Sequence, residues 1–244
     1  MLQSSSRWYH TWWGVVLLSF GFALLLLLVL FVGTTIKYWL ELRRGETPAF
    51  LNEAPHFTVS GQAKSAPVDR IALETINSPA LGRYGAPVTI VEFLDFKCPN
   101  CQLAATTLHQ IDAAYHDKVR IIVRQFPAES IHPGATQLSV LGYCAHQQNK
   151  FWPLYDLLFN EQGSLPNPLD DASIKNLADA AGLKTDAFTA CLISGAATNS
   201  VTRDYLAGIS AGVRGTPTYF VNGEKVEGVV PYSAWQKFLD ANSK

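Results

Sequence analysis

The chain has 244 residues, 48% hydrophobic and 16% charged, with 19 basic against 20 acidic side chains and a net charge of -1. That length gives room for one sizeable core and an inserted subdomain, and leaves little for two independent domains with a linker. The near-neutral balance supplies no electrostatic footprint for nucleic acid or an acidic surface, so partners have to be recognised at sites.

In chain order, the first feature is "GVVLLSFGFALLLLLVLFVG" (Gly14 to Gly33), which carries no charge and has Ser19 as its one polar side chain. About 20 such residues at 1.5 Å rise cross the roughly 30 Å hydrocarbon layer of a bilayer. Trp8, Tyr9, Trp12 and Trp13 precede the run and Tyr38 and Trp39 follow it, which suits the headgroup zones. A cleaved signal peptide would carry a shorter apolar region and a small-residue cleavage site, and "FVGTTIKYWL" offers none. The expectation is a tail over 1–13, a transmembrane anchor over 14–36, a linker over 37–68 and one domain over 69–244. Lys37, Arg43 and Arg44 follow the span while Arg7 precedes it. Taken literally, that bias would place the domain in the cytoplasm, although long domains cross largely regardless of charge.

Within the domain, "VDRIALETI" reads as a first strand and "PVTIVEFLDF" (Pro87 to Phe96) as a central buried strand. From Pro99 the period changes, with Leu103, Leu108, Ile111 and Tyr115 spaced as the inner face of a helix to about His116. "KVRIIVRQFP" supplies the next strand of a right-handed βαβ unit. A helical stretch spans about 132–212. "TPTYFVNGEKVEG" then reads as a hairpin turning at Asn222-Gly223, and "YSAWQKFLDAN" as an amphipathic helix with Trp235 and Phe238 or Leu239 inward. His109, His116, His132 and His146 have no metal-like spacing and are expected at the surface or in turns.

At the strand-to-helix junction stands "CPNC". A Cys-x-x-Cys pair serves as metal clip, structural staple or redox couple. A structural zinc site wants four ligands, usually as two close pairs, whereas Cys144 and Cys191 are far apart in sequence; no metal site is assigned. The junction favours redox chemistry. A thiol of pKa about 8.5 is only a few per cent ionised at pH 7, and a helix N-terminus stabilises the thiolate that attacks disulfides. Cys98 is then the exposed nucleophile, and Cys101, one turn inside, the resolving thiol. Glu92, six residues earlier in the apolar strand, is a candidate proton acceptor if buried; the plainer alternative is a strand-edge carboxylate facing solvent. Pro217 in "RGTPT" stands where a cis peptide would expose backbone to an extended polypeptide, or is an ordinary trans turn proline.

Three separated stretches, "SPALGRYGAPVTIVEFLDFKCPNC", "GYCAHQQNKFWPLYDLLF" and "GVRGTPTYFVNG", together resemble the DsbA-like thiol-disulfide oxidoreductases, from about Ser78 to the C-terminus. The resemblance implies an α/β thioredoxin-like fold with an inserted helical subdomain, here preceded by one transmembrane helix. It implies that Cys98 and Cys101 form the redox-active disulfide, that Glu92 is the buried acid, that Pro217 is the cis-proline, and that Thr216 before it pairs with substrate and tunes the potential. It also suggests a structural disulfide between Cys144 and Cys191, the alternative being two separate buried thiols. Asn100 stands where the best-known strong oxidant of the family has histidine, which points to a milder oxidant.

The resulting expectation is a membrane-anchored enzyme that donates the Cys98–Cys101 disulfide to extracytoplasmic proteins, without a cofactor. Its substrates would be reduced or misoxidised secreted proteins, and a quinone-linked membrane oxidase would reoxidise it. The alternative is a reductase or isomerase, for example in cytochrome c or copper-protein maturation, fed by an electron-donating membrane reductase. Redox chemistry outweighs the weak charge bias and places the catalytic domain on the periplasmic or equivalent side of the cytoplasmic membrane.

Overall fold

A computed structural model of the chain describes residues 12–43 and 70–243. The expected tail, up to residue 11, and the expected linker, from residue 44 on, lie outside the described residues. The chain divides into two compact units, Met1–Phe57 and Thr58–Lys244.

In the first unit, helix α1 spans Trp12–Arg43. Its segment Val15–Lys37 is long and apolar enough to cross a membrane. The few hydroxyls within it are satisfied internally, Ser19 Oγ donating to the Val15 carbonyl at 2.8 Å and Thr35 Oγ1 to the Phe31 carbonyl at 3.0 Å, which removes the cost of carrying them into hydrocarbon. The helix runs through the first residues of the expected linker because no Pro or Gly stops it before Arg43.

The second unit opens on a short helix, α2 (Arg70–Leu73), where the sequence predicts a strand. Its end is pinned by Arg124, whose guanidinium donates to the carbonyls of Ala72 at 3.0 Å and Leu73 at 3.1 Å. Tertiary partners at these carbonyls outweigh the local strand preference. The first strand is instead β1 (Ala80–Gly82), followed by β2 (Val88–Leu94), α3 (Pro99–Tyr115) and β3 (Val119–Gln125). Helices α4 (Ala135–His146), α5 (Phe151–Asn160), α6 (Asp171–Ala180), α7 (Thr185–Ile193) and α8 (Ala196–Ser210) come next, before β4 (Thr218–Val221), β5 (Glu224–Glu227) and α9 (Tyr232–Asn242).

The five strands lie in the order β1-β3-β2-β4-β5. Strands β2 and β3 are parallel, with Glu92 opposite Val123, and the other pairs are antiparallel. Every residue of β2 is buried, as its apolar run and central place require. Alternation sends Val88, Ile90, Glu92 and Leu94 to one face and Val91 and Phe93 to the other. On the first face Val88 and Ile90 join Ala104, Leu108 and Ile111 of α3 and Trp235 and Leu239 of α9 in one core. On the second, Val91 and Phe93 pack with Ile122, Phe126, Val213 and Phe220. There α8 approaches so closely that a Cβ on Gly208 would lie 2.6 Å from the Phe126 ring, leaving room for no larger residue.

The inner stripe of α3 is Cys101, Ala104, Ala105, Leu108, Ile111 and Tyr115. Leu103 is 65% exposed, so the expected stripe is corrected at that position: a 3.6-residue period that places Leu108 and Ile111 inward turns residue 103 outward. In α9 Trp235 and Leu239 are buried while Phe238 is half exposed. A third core, around Phe96, Phe151, Leu154, Tyr155, Leu158 and Phe188, packs helices α4 through α7 against Leu94 of β2 and Val123 of β3, and the disulfide Cys144–Cys191 ties α4 to α7.

Candidate active site

The site begins where β2 ends. Leu94 is its last residue, and the chain turns through Asp95, Phe96 and Lys97 into the helix that Pro99 opens. Cys98 is the N-cap of α3, with extended backbone angles of -76° and 121°. Its carbonyl accepts the N–H groups of Cys101 at 3.1 Å and Gln102 at 3.2 Å. Pro99 fits the first helical position because it has no N–H to leave unpaired. Cys98 is only 6% exposed, which corrects the expectation of an exposed nucleophile, and Cys101 is fully buried; the thiols are not joined to each other.

The two sulfurs sit in opposite electrostatic settings. The Cys98 thiol is lowered from its ordinary 9.0 to about 5, chiefly by the Cys101 thiol donating to it. Burial opposes this, and the Thr216 side chain with the backbone N–H groups of Cys101 and Asn100 adds to it. Cys101 is pushed well above its ordinary value by its own burial, with Cys98 and the charge of Glu92 acting the same way. One sulfur is thus favoured as the thiolate while the other keeps its proton.

Glu92 is fully buried, on the sheet face that carries α3. Burial raises its carboxyl to about 8. Tyr219, its register partner on β4, offsets part of that, and the Cys98 charge adds to it. Neither carboxyl oxygen has a well-formed hydrogen bond, and the Tyr155 hydroxyl is also buried without one. A carboxyl titrating near pH 8 beside two thiols is able to hold or release a proton under physiological conditions.

Facing Cys98 across the sheet end is the loop before β4. The Thr216–Pro217 peptide is cis, and the Cys98 thiol donates to the Thr216 carbonyl at 3.3 Å. Arg214, Gly215, Thr216, Pro217, Thr218, Glu227 and Gly228 line an open groove beside it. The structure therefore gathers Cys98, Cys101, Glu92, Thr216 and Pro217 at one end of the sheet. It places Cys144 and Cys191 elsewhere, bonded to each other within the helical region.

Several residues that position this site escaped the sequence reading. Gln162, after α5, donates to the carbonyls of Phe96 at 2.8 Å and Cys98 at 3.1 Å. Phe96 is wedged between the rings of Phe151, Tyr155 and Phe159, 5.2 to 6.2 Å between centroids. Asp95 is fully buried and bonds His132 at 2.7 Å. A carboxylate between Leu94 and Phe96 in an apolar run carries the same signal that singles out Glu92, and was available in the sequence. His132 was not, because its partner lies 37 positions away. It lies in a turn, as expected, and from there it partners a buried acid. His109 and His116 pair instead with Asp156 at 2.7 Å and Asp112 at 2.9 Å on partly exposed faces, and His146 bonds the Asn77 carbonyl at 3.1 Å. Among the described residues no group of three or more His, Cys, Asp or Glu is placed to hold a metal ion.

A family model described as thioredoxin matches residues 74–241. Among solved structures, a thioredoxin-like oxidoreductase from Silicibacter pomeroyi is similar at 25% identity and a TM-score of 0.61, over 71% of this chain and 96% of that one. Wolbachia pipientis alpha-DsbA1 gives 22% and 0.63, over 72% and 96%. A periplasmic thioredoxin-like protein from Salmonella enterica serovar Typhimurium gives 21% and 0.59, over 71% and 94%. Among curated proteins, the Na(+)/H(+) antiporter NhaA 3 of Salinispora tropica is 29% identical over 207 residues, 85% of this chain and 30% of the antiporter. The antiporter NhaA of Herminiimonas arsenicoxydans is 32% identical over 60% of this chain and 22% of its own length. The chain thus spans less than a third of these curated relatives.

Proposed function

The chain belongs to the thioredoxin family and has a DsbA-like fold, and from that premise we propose that it is a membrane-anchored thiol-disulfide oxidoreductase donating the Cys98–Cys101 disulfide to extracytoplasmic proteins. The observation that carries this reading is the asymmetric placement of the two sulfurs: Cys98 caps α3 against the Thr216 carbonyl while Cys101 is fully buried, with one thiol lowered to about 5 and the other raised. Stabilising a thiolate stabilises the reduced pair, which makes its disulfide an oxidant.

In the proposed reaction a substrate thiolate attacks Cys98 Sγ of the oxidised enzyme. A substrate–Cys98 disulfide forms, the Cys98–Cys101 bond breaks, and Cys101 leaves with the electron pair. Its high proton affinity draws a proton, which protonated Glu92 supplies. A second substrate thiolate attacks the substrate sulfur of the mixed disulfide and expels Cys98 as the stabilised thiolate. The substrate has lost two electrons and the enzyme holds them. The groove beside Thr216 and Pro217 would take the extended substrate chain, and a quinone-linked membrane oxidase would take the electrons away. Segment Val15–Lys37 supports anchoring, and the Cys144–Cys191 disulfide supports an oxidising compartment outside the cytoplasm.

The test is the reduction potential of the full chain in detergent, by equilibration with glutathione and mass-spectrometric assignment of the exchanging cysteines. A value near about -120 to -180 mV on Cys98 and Cys101 is expected. A value near about -270 mV would overturn donation in favour of a reductase fed by an electron-donating membrane protein.

A further inference from the structure

The carboxyl group of Asp95 plays no part in the thiol chemistry proposed above, yet it joins the turn that carries Cys98 to a separate loop. Its Oδ1 accepts the Lys97 N–H at 2.8 Å. Its Oδ2 accepts the Ala128 N–H at 2.9 Å and faces His132 Nδ1 at 2.7 Å, while its own carbonyl accepts the Cys98 N–H at 3.0 Å. The Asp95 side chain is fully buried and that of His132 is 21% exposed, so the pair bridges the interior and the rim of the site. His132 lies in the loop between β3 and α4. That loop is itself held, by Lys97 Nζ donating to the Pro133 carbonyl at 2.8 Å and by Glu129 accepting the N–H groups of Gly134 and Thr136 at 2.6 and 2.8 Å.

We propose that His132 is a positioning residue for Cys98: donating Nδ1–H to Asp95, it completes the set of donors around a buried carboxylate and thereby fixes the turn that sets the sulfur at the head of α3. The physical reason is the cost of an under-bonded buried carboxylate. With its third donor gone, the group must either turn toward solvent, dragging the 95–98 turn with it, or stay under-bonded and loosen that turn. Both act against ionised Cys98. The charged and titratable groups around the pair are Lys97 and Glu129 on the two joined segments, the thiols of Cys98 and Cys101 on α3, and Glu92 on β2. Of these, the Lys97 and Glu129 side chains are engaged with backbone groups of the two segments, and among the described residues the side chain that bonds the carboxylate is that of His132.

This inference rests on Cys98 being the nucleophile, so its test reads Cys98 directly. The reduced full chain in detergent is alkylated with iodoacetamide across a pH series, and the rate at Cys98 is followed by peptide mass spectrometry. His132→Ala is expected to move the midpoint of the Cys98 profile up by about one pH unit, the size of one lost hydrogen bond near a charge. His132→Asn, whose amide N–H occupies much the same position as Nδ1–H, is expected to restore it. An unmoved midpoint in His132→Ala, or an Asn variant no better than Ala, would overturn the proposal. Should His132→Ala fail to fold, His132→Gln, which carries its donor one bond further out, takes its place. Gln shifted and Asn unshifted is then expected, and equal midpoints overturn the proposal. A low-midpoint thiol that persists in Cys98→Ser would instead sink the assignment of the nucleophile on which the proposal stands.

Discussion

Thr216 meets Cys98 with two groups of opposite preference. Its carbonyl accepts the Cys98 S–H at 3.3 Å, a bond that exists only while sulfur is protonated, whereas its side chain lowers the Cys98 pKa by donating to the thiolate. On ionisation the sulfur exchanges one for the other, with the Cys101 thiol and the N–H groups at the start of α3 making up the rest.

Replacing Thr216 with Val removes the hydroxyl and keeps the shape and the backbone. A hydrogen bond to a charged group contributes about 1.5 to 3 kcal/mol, so the Cys98 pKa should rise from about 5 by about 1 to 2 units. Thiolate absorbance in the ultraviolet across a pH titration, with Cys98→Ser as the blank, reads this directly. No change would mean that the Thr216 hydroxyl does not stabilise the Cys98 thiolate.

Glu92 should make the oxidised protein less stable as pH rises. Its folded pKa is raised from 4.5 to about 8, so between those values the folded state holds a proton that the unfolded state has lost. Stability falls across that window. Glu92→Gln, neutral at every pH, should flatten the curve and be the more stable protein at pH 8, by several kcal/mol at most. Urea unfolding of oxidised wild type and variant at a series of pH values compares the slopes.

Reducing the pair should reverse much of that trend. Cys98 titrates only when reduced, and its folded pKa is lowered from 9.0 to about 5. Its contribution is absent below about pH 5, grows as pH rises, and is complete above pH 9. The stability of the reduced form relative to the oxidised form should therefore increase from pH 5 to 9. Parallel unfolding curves in the two redox states would contradict the thiolate assignment.

The disulfide between Cys144 and Cys191 closes a separation of 47 residues, for which chain entropy predicts about 4 kcal/mol of stabilisation. The Cys144→Ala/Cys191→Ala double variant should lose stability on that scale in urea. Alkylation of Cys98 should keep its pH profile, since the bridge joins α4 to α7 and neither of its cysteines is among the groups that lower the Cys98 thiol.

Much of the fold was legible because it depends on short-range patterns. The run Val88 to Leu94, apolar apart from Thr89 and Glu92, marked a central strand, Asn222-Gly223 marked the β4–β5 hairpin, and Pro99 after an apolar strand marked the helix start that Cys98 caps. Leu103 was misplaced because an apolar residue one position off the stripe looks, in sequence, like part of it. Arg70 to Leu73 was misread because the partner that holds it helical is Arg124, some fifty positions on, and no local signal announces that bond.

By itself, the sequence determined the chemistry on offer: a Cys-x-x-Cys pair where a strand meets a helix, an acid inside an apolar strand, an apolar segment of membrane-spanning length, and three family stretches in order. These follow from residue type and spacing, which act over a few positions. Tertiary structure alone decided how that chemistry is tuned. Whether Glu92 is buried depends on α3 covering its face of β2, and whether Cys98 is held as a thiolate depends on Cys101 and on Thr216, 118 positions away. The His132–Asp95 bond and the grip of Gln162 on the Cys98 carbonyl likewise exist only once the helical region has folded onto the sheet. Electrostatic and hydrogen-bond energies depend on distance and burial, and those are properties of the packed chain.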